Sequence, residues 1–198
     1  MIKEREKLLE LLANKAFKYS EEPVFKLASG KVSQFYINCK MVTLDPEGLN
    51  LIGNVVNELV DDDFKDKGVD AVGGLTLGAD PISVAASLIS HQRGRPFKAF
   101  VIRKEAKPHG LMKWVEGDVS KDDGVLIMED VITTGMSTLK ALDRAREEGL
   151  NVLGVIALVD REEGGVDNIK EKYDLEVVSI VKKSELLLIF KGNDSQQK

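Results

Sequence analysis

The sequence predicts an α/β fold: an open, mainly parallel sheet with helices on both faces, plus a small hood over one end. Three observations carry this. From residue 69 onward, short β-rich apolar runs alternate with runs of helix formers, the pattern of a parallel sheet covered by helices. The run Val125-Leu126-Ile127-Met128 is apolar at four successive positions after Asp122-Asp123-Gly124, which reads as a strand buried on both faces. A hairpin-like stretch near the N-terminus and a short helical piece near the C-terminus stand outside the alternation, and together they make the hood.

Taken in order, residues 3–18 form an amphipathic helix, with Leu8, Leu9, Leu12, Ala13 and Ala16 on one stripe. Residues 24–30 and 33–38 read as a hairpin around a Ser-Gly turn. Asp45-Pro46 is an N-cap followed by Pro at the first helical position, and the helix runs to about residue 60. Strands follow at 69–73, 97–102, 125–128, 152–159 and 175–180. Helices are expected at 81–91, 134–148, a short piece ending near Tyr173, and 184–190. Residues 103–118 are polar and irregular. This gives one domain, with the hood at approximately 1–45 and 175–191, the core at approximately 46–174, and a disordered tail at 192–198.

The 198 residues suffice for one full core, and 43% hydrophobic with 31% charged residues is an ordinary globular mix. A net charge of −5 argues against a general nucleic-acid binder. Cys39 is the single cysteine, so an intramolecular disulfide and a cysteine-based zinc site are excluded. No apolar run approaches membrane-spanning length and the N-terminus lacks an apolar signal core, so a cytoplasmic protein without membrane partners is expected.

The buried strand leads into Glu129-Asp130-Val131-Ile132-Thr133-Thr134-Gly135-Met136-Ser137, and then a helix. In an open parallel sheet, ligands bind outside the carboxyl ends of the strands. Gly135 lets backbone come close, free N–H groups stand at the helix start, and Thr133, Thr134 and Ser137 add hydroxyls, all suited to a phosphate. Two carboxylates beside a phosphate cradle make sense if the ligand also carries vicinal hydroxyls or a metal, as a ribose 5-phosphate does. The plainer alternative is a turn whose residues only cap the helix. The second informative stretch is 103–118, which holds Arg103, Lys104, Lys107, His109 and Lys113 between a strand and the only tryptophan, Trp114. A long irregular loop in a compact domain is usually functional, and cations there would sit over a second anionic group.

The first stretch resembles the phosphoribosyl-diphosphate signature of the type I phosphoribosyltransferases. Arg103-Lys104-Glu105 followed by Lys107 and His109-Gly110 resembles the catalytic loop of the orotate phosphoribosyltransferase family. Leu27-Ala28-Ser29-Gly30 with Ser33 and Tyr36, and 160–165 after a buried strand, are similar to further motifs of that family. The resemblance covers roughly residues 20–165. It implies the type I phosphoribosyltransferase fold and Mg²⁺-dependent transfer of ribose 5-phosphate from 5-phosphoribosyl 1-diphosphate to N1 of orotate. It implies that Glu129 and Asp130 hold the ribose hydroxyls, that Val131, Ile132 and Thr133 to Ser137 bind the phosphoribosyl group, and that Arg103, Lys104, Lys107 and His109 bind the diphosphate. Lys104 and Asp130 would be the catalytic pair. Thr133, Arg161, Ala28, Tyr36 and Ile37 would hold orotate. A homodimer is implied, with Lys104 reaching the neighbouring subunit's site, and Mg²⁺ bound mainly through the substrate's diphosphate and ribose hydroxyls rather than by protein ligands. For Arg161 the alternative is an ion pair with Glu162 or Glu163. Some members carry lysine where this chain has Ala28, and Tyr-Lys where it has Leu77-Gly78. Two other functions fit part of the pattern: transfer to a different base, or a regulator that senses phosphoribosyl diphosphate.

Overall fold

The computed structural model describes residues 2–26, 30, 32–105 and 114–196. Its centre is a six-stranded sheet in the order β10-β9-β8-β5-β6-β7, built from β5 (Ala71–Leu75), β6 (Lys98–Ile102), β7 (Val115–Glu116), β8 (Gly124–Ile132), β9 (Asn151–Asp160) and β10 (Val177–Lys182). All pairs are parallel except β6 with β7. The chain runs outward from β5 to β6 on one side, then returns to β8 and runs outward to β10 on the other. The switch point therefore lies between the carboxyl ends of β5 and β8, where a crevice opens in a sheet of this kind.

Strand alternation sends successive side chains to opposite faces. Leu126 and Met128 of β8 join a core with α1 (Ile2–Lys15), α3 (Pro46–Asp63) and α4 (Ala79–Gln92). Val125 and Ile127 join the other core, with α5 (Met136–Glu147) and α6 (Gly165–Tyr173). The expected Asp45 cap is present: its carboxylate accepts from the amides of Glu47 and Gly48 at 3.0 and 3.1 Å.

The hood differs in detail from expectation. Residues 24–38 do not form one hairpin. β2 (Phe25–Lys26) pairs with β3 (Val32–Ser33), while β4 (Phe35–Ile37) pairs with β1 (Phe17–Tyr19), which the sequence pattern assigned to the end of the first helix. A short helix, α2 (Lys40–Thr43), follows. The strand expected at 175–180 belongs to the main sheet as β10, so residues 177–182 are core and not hood. Residues 192–196 of the tail expected to be disordered continue α7 (Lys183–Gln196), and Asn193 Nδ2 donates to Asn14 Oδ1 at 3.2 Å. This helix packs on the hood through Phe190, edge-on to Phe17 and Tyr19, and through the Arg5–Glu185 ion pair at 2.6 Å. Among the described residues no helix is long and apolar enough to cross a membrane.

Candidate active site

β8 continues past its apolar run through the acidic pair to Ile132, which fixes the direction of both carboxylates. Alternation puts Glu129 on the α5 face, where it is only 6% exposed and accepts a hydrogen bond from Thr138 Oγ1 at 2.9 Å. Its carboxyl is pushed up to about 8, first by burial and then by the charge of Asp130. Near neutral pH Glu129 thus holds its proton. Asp130 points to the opposite face. Its Oδ1 accepts from the amide of Val131 at 2.9 Å, and Lys40 Nζ stands 3.9 Å from its Oδ2. Gly78, at the turn after β5, backs directly onto this carboxylate: a Cβ there would lie 2.6 Å from Oδ1.

The turn expected to hold a phosphate follows at once. Glu129, Val131, Thr133, Thr134, Gly135, Met136, Ser137 and Thr138 line a cavity of about 80 Å³. Gly135 takes a left-handed conformation, φ 81°, and precedes a helix start that no side chain caps. The amides of the first turn of α5 therefore face the cavity without a side-chain competitor, the arrangement that receives a phosphate. The capping alternative is thereby disfavoured. Ile132 itself is buried and serves the core.

Arg161 enters from the end of β9. Its backbone N–H donates to Ile132 O at 2.9 Å, which ties the end of β9 to the turn after β8. The side chain is only 11% exposed, pairs with Glu163 at 2.7 Å, lies over the Phe35 ring at 5.1 Å, and leaves Nε buried without a hydrogen-bond partner. The ion-pair alternative is thus realised with Glu163, yet a donor remains unused. Ile37 shares a strand face with Phe35, whereas Tyr36 turns to the other face and stacks on Phe25 at 6.2 Å. The structure therefore does not bring Tyr36 to Arg161; Phe35, which the sequence pattern did not single out, takes that place.

The basic loop is described only at its two stems. Arg103 N–H donates to Trp114 O at 2.8 Å, and the Arg103 side chain pairs with Glu116 at 3.4 Å rather than entering the cradle. Lys104 is exposed. Arg144 of α5 donates to the carbonyls of Arg103 and Lys104 and lies over the Trp114 ring at 4.0 Å, while Glu148 accepts from the Trp114 amide at 2.8 Å. Both stems are thus fastened to the helix that begins at the cradle. Ala28, Lys107 and His109 lie outside the described residues. Lys40, Thr138 and Arg144 escaped the sequence reading, because each meets its partner only through the fold; Thr138 alone had a signal, being in the first turn of the helix beside the acidic pair. Cys39 is buried, and its thiol is pushed up, by burial first and by Asp130 next, which leaves it no nucleophile.

A doubly covered parallel sheet, an acidic pair at the switch point and an uncapped helix start beyond it define a type I phosphoribosyltransferase. No protein-family model matches the chain. It is 50% identical over 184 residues to the orotate phosphoribosyltransferase of Aquifex aeolicus, covering 93% of this chain and 98% of that protein. The crystal structure of Mycobacterium tuberculosis orotate phosphoribosyltransferase in complex with Fe(III) dicitrate superposes with a TM-score of 0.78 at 36% identity, covering 92% of this chain and 98% of that one. The same enzyme in complex with 5-phospho-α-D-ribosyl 1-diphosphate gives 0.71 at 32% identity, covering 92% and 91%. The chain belongs to the orotate phosphoribosyltransferase family.

Proposed function

We propose that the chain transfers ribose 5-phosphate from 5-phosphoribosyl 1-diphosphate to N1 of orotate, giving orotidine 5′-phosphate and diphosphate in de novo pyrimidine (UMP) biosynthesis. The observation that carries this is the continuity of Asp130 with the uncapped turn 133–137, which offers one ligand both a hydroxyl acceptor and a phosphate cradle. Membership of the family supplies the base. The C1–O bond to diphosphate breaks with its electron pair leaving on diphosphate, the C1–N1 bond forms, and the proton of N1 is released to solvent or the departing diphosphate. The protein positions the partners and stabilises charge; no protein nucleophile is needed.

In this reading Glu129 and Asp130 take the ribose hydroxyls, with Glu129 able to donate because it holds a proton. Thr133 to Ser137 hold the 5-phosphate. Arg161 presents its guanidinium to the orotate carboxylate, releasing Glu163, with Thr133, Phe35 and Ile37 beside the base. Arg103 and Lys104, with Lys107 and His109 of the undescribed segment, take the diphosphate, and Lys104 does so in the neighbouring subunit. Support for a homodimer comes from exposed apolar side chains beside the site: Leu44, Leu77 and Val84, which line one cavity. Mg²⁺ would ride on the diphosphate and ribose hydroxyls next to Asp130, whose partly exposed carboxylate is the hard oxygen donor such an ion takes. When bound, it offsets the charge developing on the leaving group. A cytoplasmic location accompanies this reading.

The test is stoichiometric. With Mg²⁺ present, one diphosphate should appear for each orotate consumed, together with orotidine 5′-phosphate. Diphosphate release without loss of orotate would refute the assignment.

A further inference from the structure

Lys40 stands beside Asp130 at the switch point of the sheet. It sits at the start of α2, directly after buried Cys39, whose thiol donates to the Asp130 carbonyl at 3.7 Å. Its ammonium is 3.9 Å from Asp130 Oδ2, and the side chain is 48% exposed, so the contact is loose and its other donors are open. It also edges a mainly apolar cavity of about 410 Å³ lined by Leu44, Leu49, Leu77, Asp80, Pro81 and Val84, of which Leu77, Asp80 and Pro81 follow β5 at the switch point. That wall is short of positive charge. Leu77 and Gly78 bring no cation to the turn, and Asp80 adds a carboxylate, with Oδ2 bound by Thr76 at 2.6 Å and Oδ1 buried without a partner.

The substrate's own geometry connects these facts. A carboxylate that accepts from the 2-hydroxyl of a ribose lies one hydrogen bond, ~2.8 Å, from that oxygen. The diphosphate is carried on the adjacent carbon, so its first phosphate is a neighbour of whatever cation is paired with that carboxylate. An anionic group arriving between Asp130 and Asp80 needs a compensating charge, and a long flexible ammonium can exchange one oxygen partner for another with little reorganisation.

We propose that Lys40 is a diphosphate-binding residue: it pairs with Asp130 in the free protein, and on substrate binding it passes to the phosphate attached to C1 while Asp130 takes the ribose hydroxyls. The proposal rests on the phosphoribosyltransferase reading above. It separates the site's electrostatic load, with Lys40 serving the leaving group from the α2 side and the cradle amides serving the 5-phosphate from the α5 side.

Calorimetric titration with two probes tests it: inorganic diphosphate with Mg²⁺, and ribose 5-phosphate. Lys40→Ala should weaken diphosphate about ten- to a hundred-fold, as expected for loss of a charge-assisted hydrogen bond, and leave ribose 5-phosphate within about twofold. Lys40→Arg should recover most of the diphosphate affinity, and Lys40→Met provides a second deletion of charge that keeps the unbranched apolar stem if alanine loosens α2. Unchanged diphosphate affinity in both neutral variants would overturn the proposal. An equal loss for both probes would overturn it too, since Lys40 would then only be positioning Asp130. If the wild type bound neither probe, the phosphoribosyl-diphosphate reading would itself fail, and the role of Lys40 with it.

Discussion

Gly165 is where the start of α6 presses on the turn between β8 and α5. It is the first residue of α6, and a methyl group there would lie 2.5 Å from Thr133 O, 2.6 Å from Ile132 Cγ2 and 2.7 Å from Gly135 N. Two of these are backbone atoms of the cradle and cannot rotate away. Comfortable contact begins near ~3.5 Å, so Gly165→Ala must push the turn outward by about 0.5–1 Å. Overpacking of this kind costs about 1–3 kcal/mol, and a domain of this size loses ~2–4 °C in Tm per kcal/mol, so the melting point should fall by roughly 2–12 °C. The effect on function should be larger. A misplacement near 1 Å at a positioning group costs about a hundred-fold, so kcat/KM for phosphoribosyl diphosphate should drop by about that factor. The adjacent Gly164 is the control. Its φ is 83° and a Cβ there meets nothing within 4 Å, so Gly164→Ala should cost about 1–2 kcal/mol of backbone strain without moving the cradle. Steady-state kinetics and thermal melts on the two variants check this. If both lose kcat/KM equally, or if Gly165→Ala keeps wild-type kcat/KM, the idea that close packing at Gly165 sets the cradle is wrong.

Arg161→Ala should lower kcat/KM for orotate by about ten- to a hundred-fold or more, the cost of leaving a charged hydrogen-bonding group unpaired, with a far smaller effect on diphosphate binding; equal losses in both would contradict its placement at the base. Glu129 is an acid whose folded pKa, about 8, stands above the ordinary 4.5, so the stability it confers is complete below 4.5 and is lost as pH rises toward 8. Glu129→Gln copies the protonated form, so its melting point should gain on wild type between pH 5 and pH 8.5; a constant difference would show that Glu129 ionises normally. Lys104→Ala and Arg161→Ala subunits, unfolded together and reassociated at equal amounts, should restore about a quarter of the sites if Lys104 serves its neighbour, because half the dimers are mixed and each mixed dimer has one intact site. No recovery, with mixed dimers verified by a tag, would place Lys104 in its own subunit's site.

The sheet was legible because β8, β9 and the helix between them advertise themselves locally, through apolar runs bounded by turn residues and through helical spacing. The cradle was legible for the same reason: its acids, hydroxyls and glycine are contiguous from Glu129 to Ser137. What escaped depends on chain segments meeting at long range. Phe17–Tyr19 continues the helical stripe that ends at Ala16, and three residues are too few to show a period of two; only pairing with Phe35–Ile37 makes them a strand. The protonated state of Glu129 needs burial and the adjacent charge, and Lys40 needs β8 to arrive 90 positions later in the chain, at Asp130. Tyr36 was expected beside the base because it falls within a motif; strand parity stacks it on Phe25 and leaves Phe35 against Arg161.

The most direct measurement of the central claim is base selectivity. With Mg²⁺ and phosphoribosyl diphosphate supplied in excess, the protein is given orotate, uracil, adenine or hypoxanthine in turn, and loss of the free base is followed by absorbance and chromatography. The account predicts that orotate is consumed and that uracil, which lacks the carboxylate Arg161 would hold, is used at least ten-fold less efficiently. Comparable use of uracil, or preference for a purine, would contradict it.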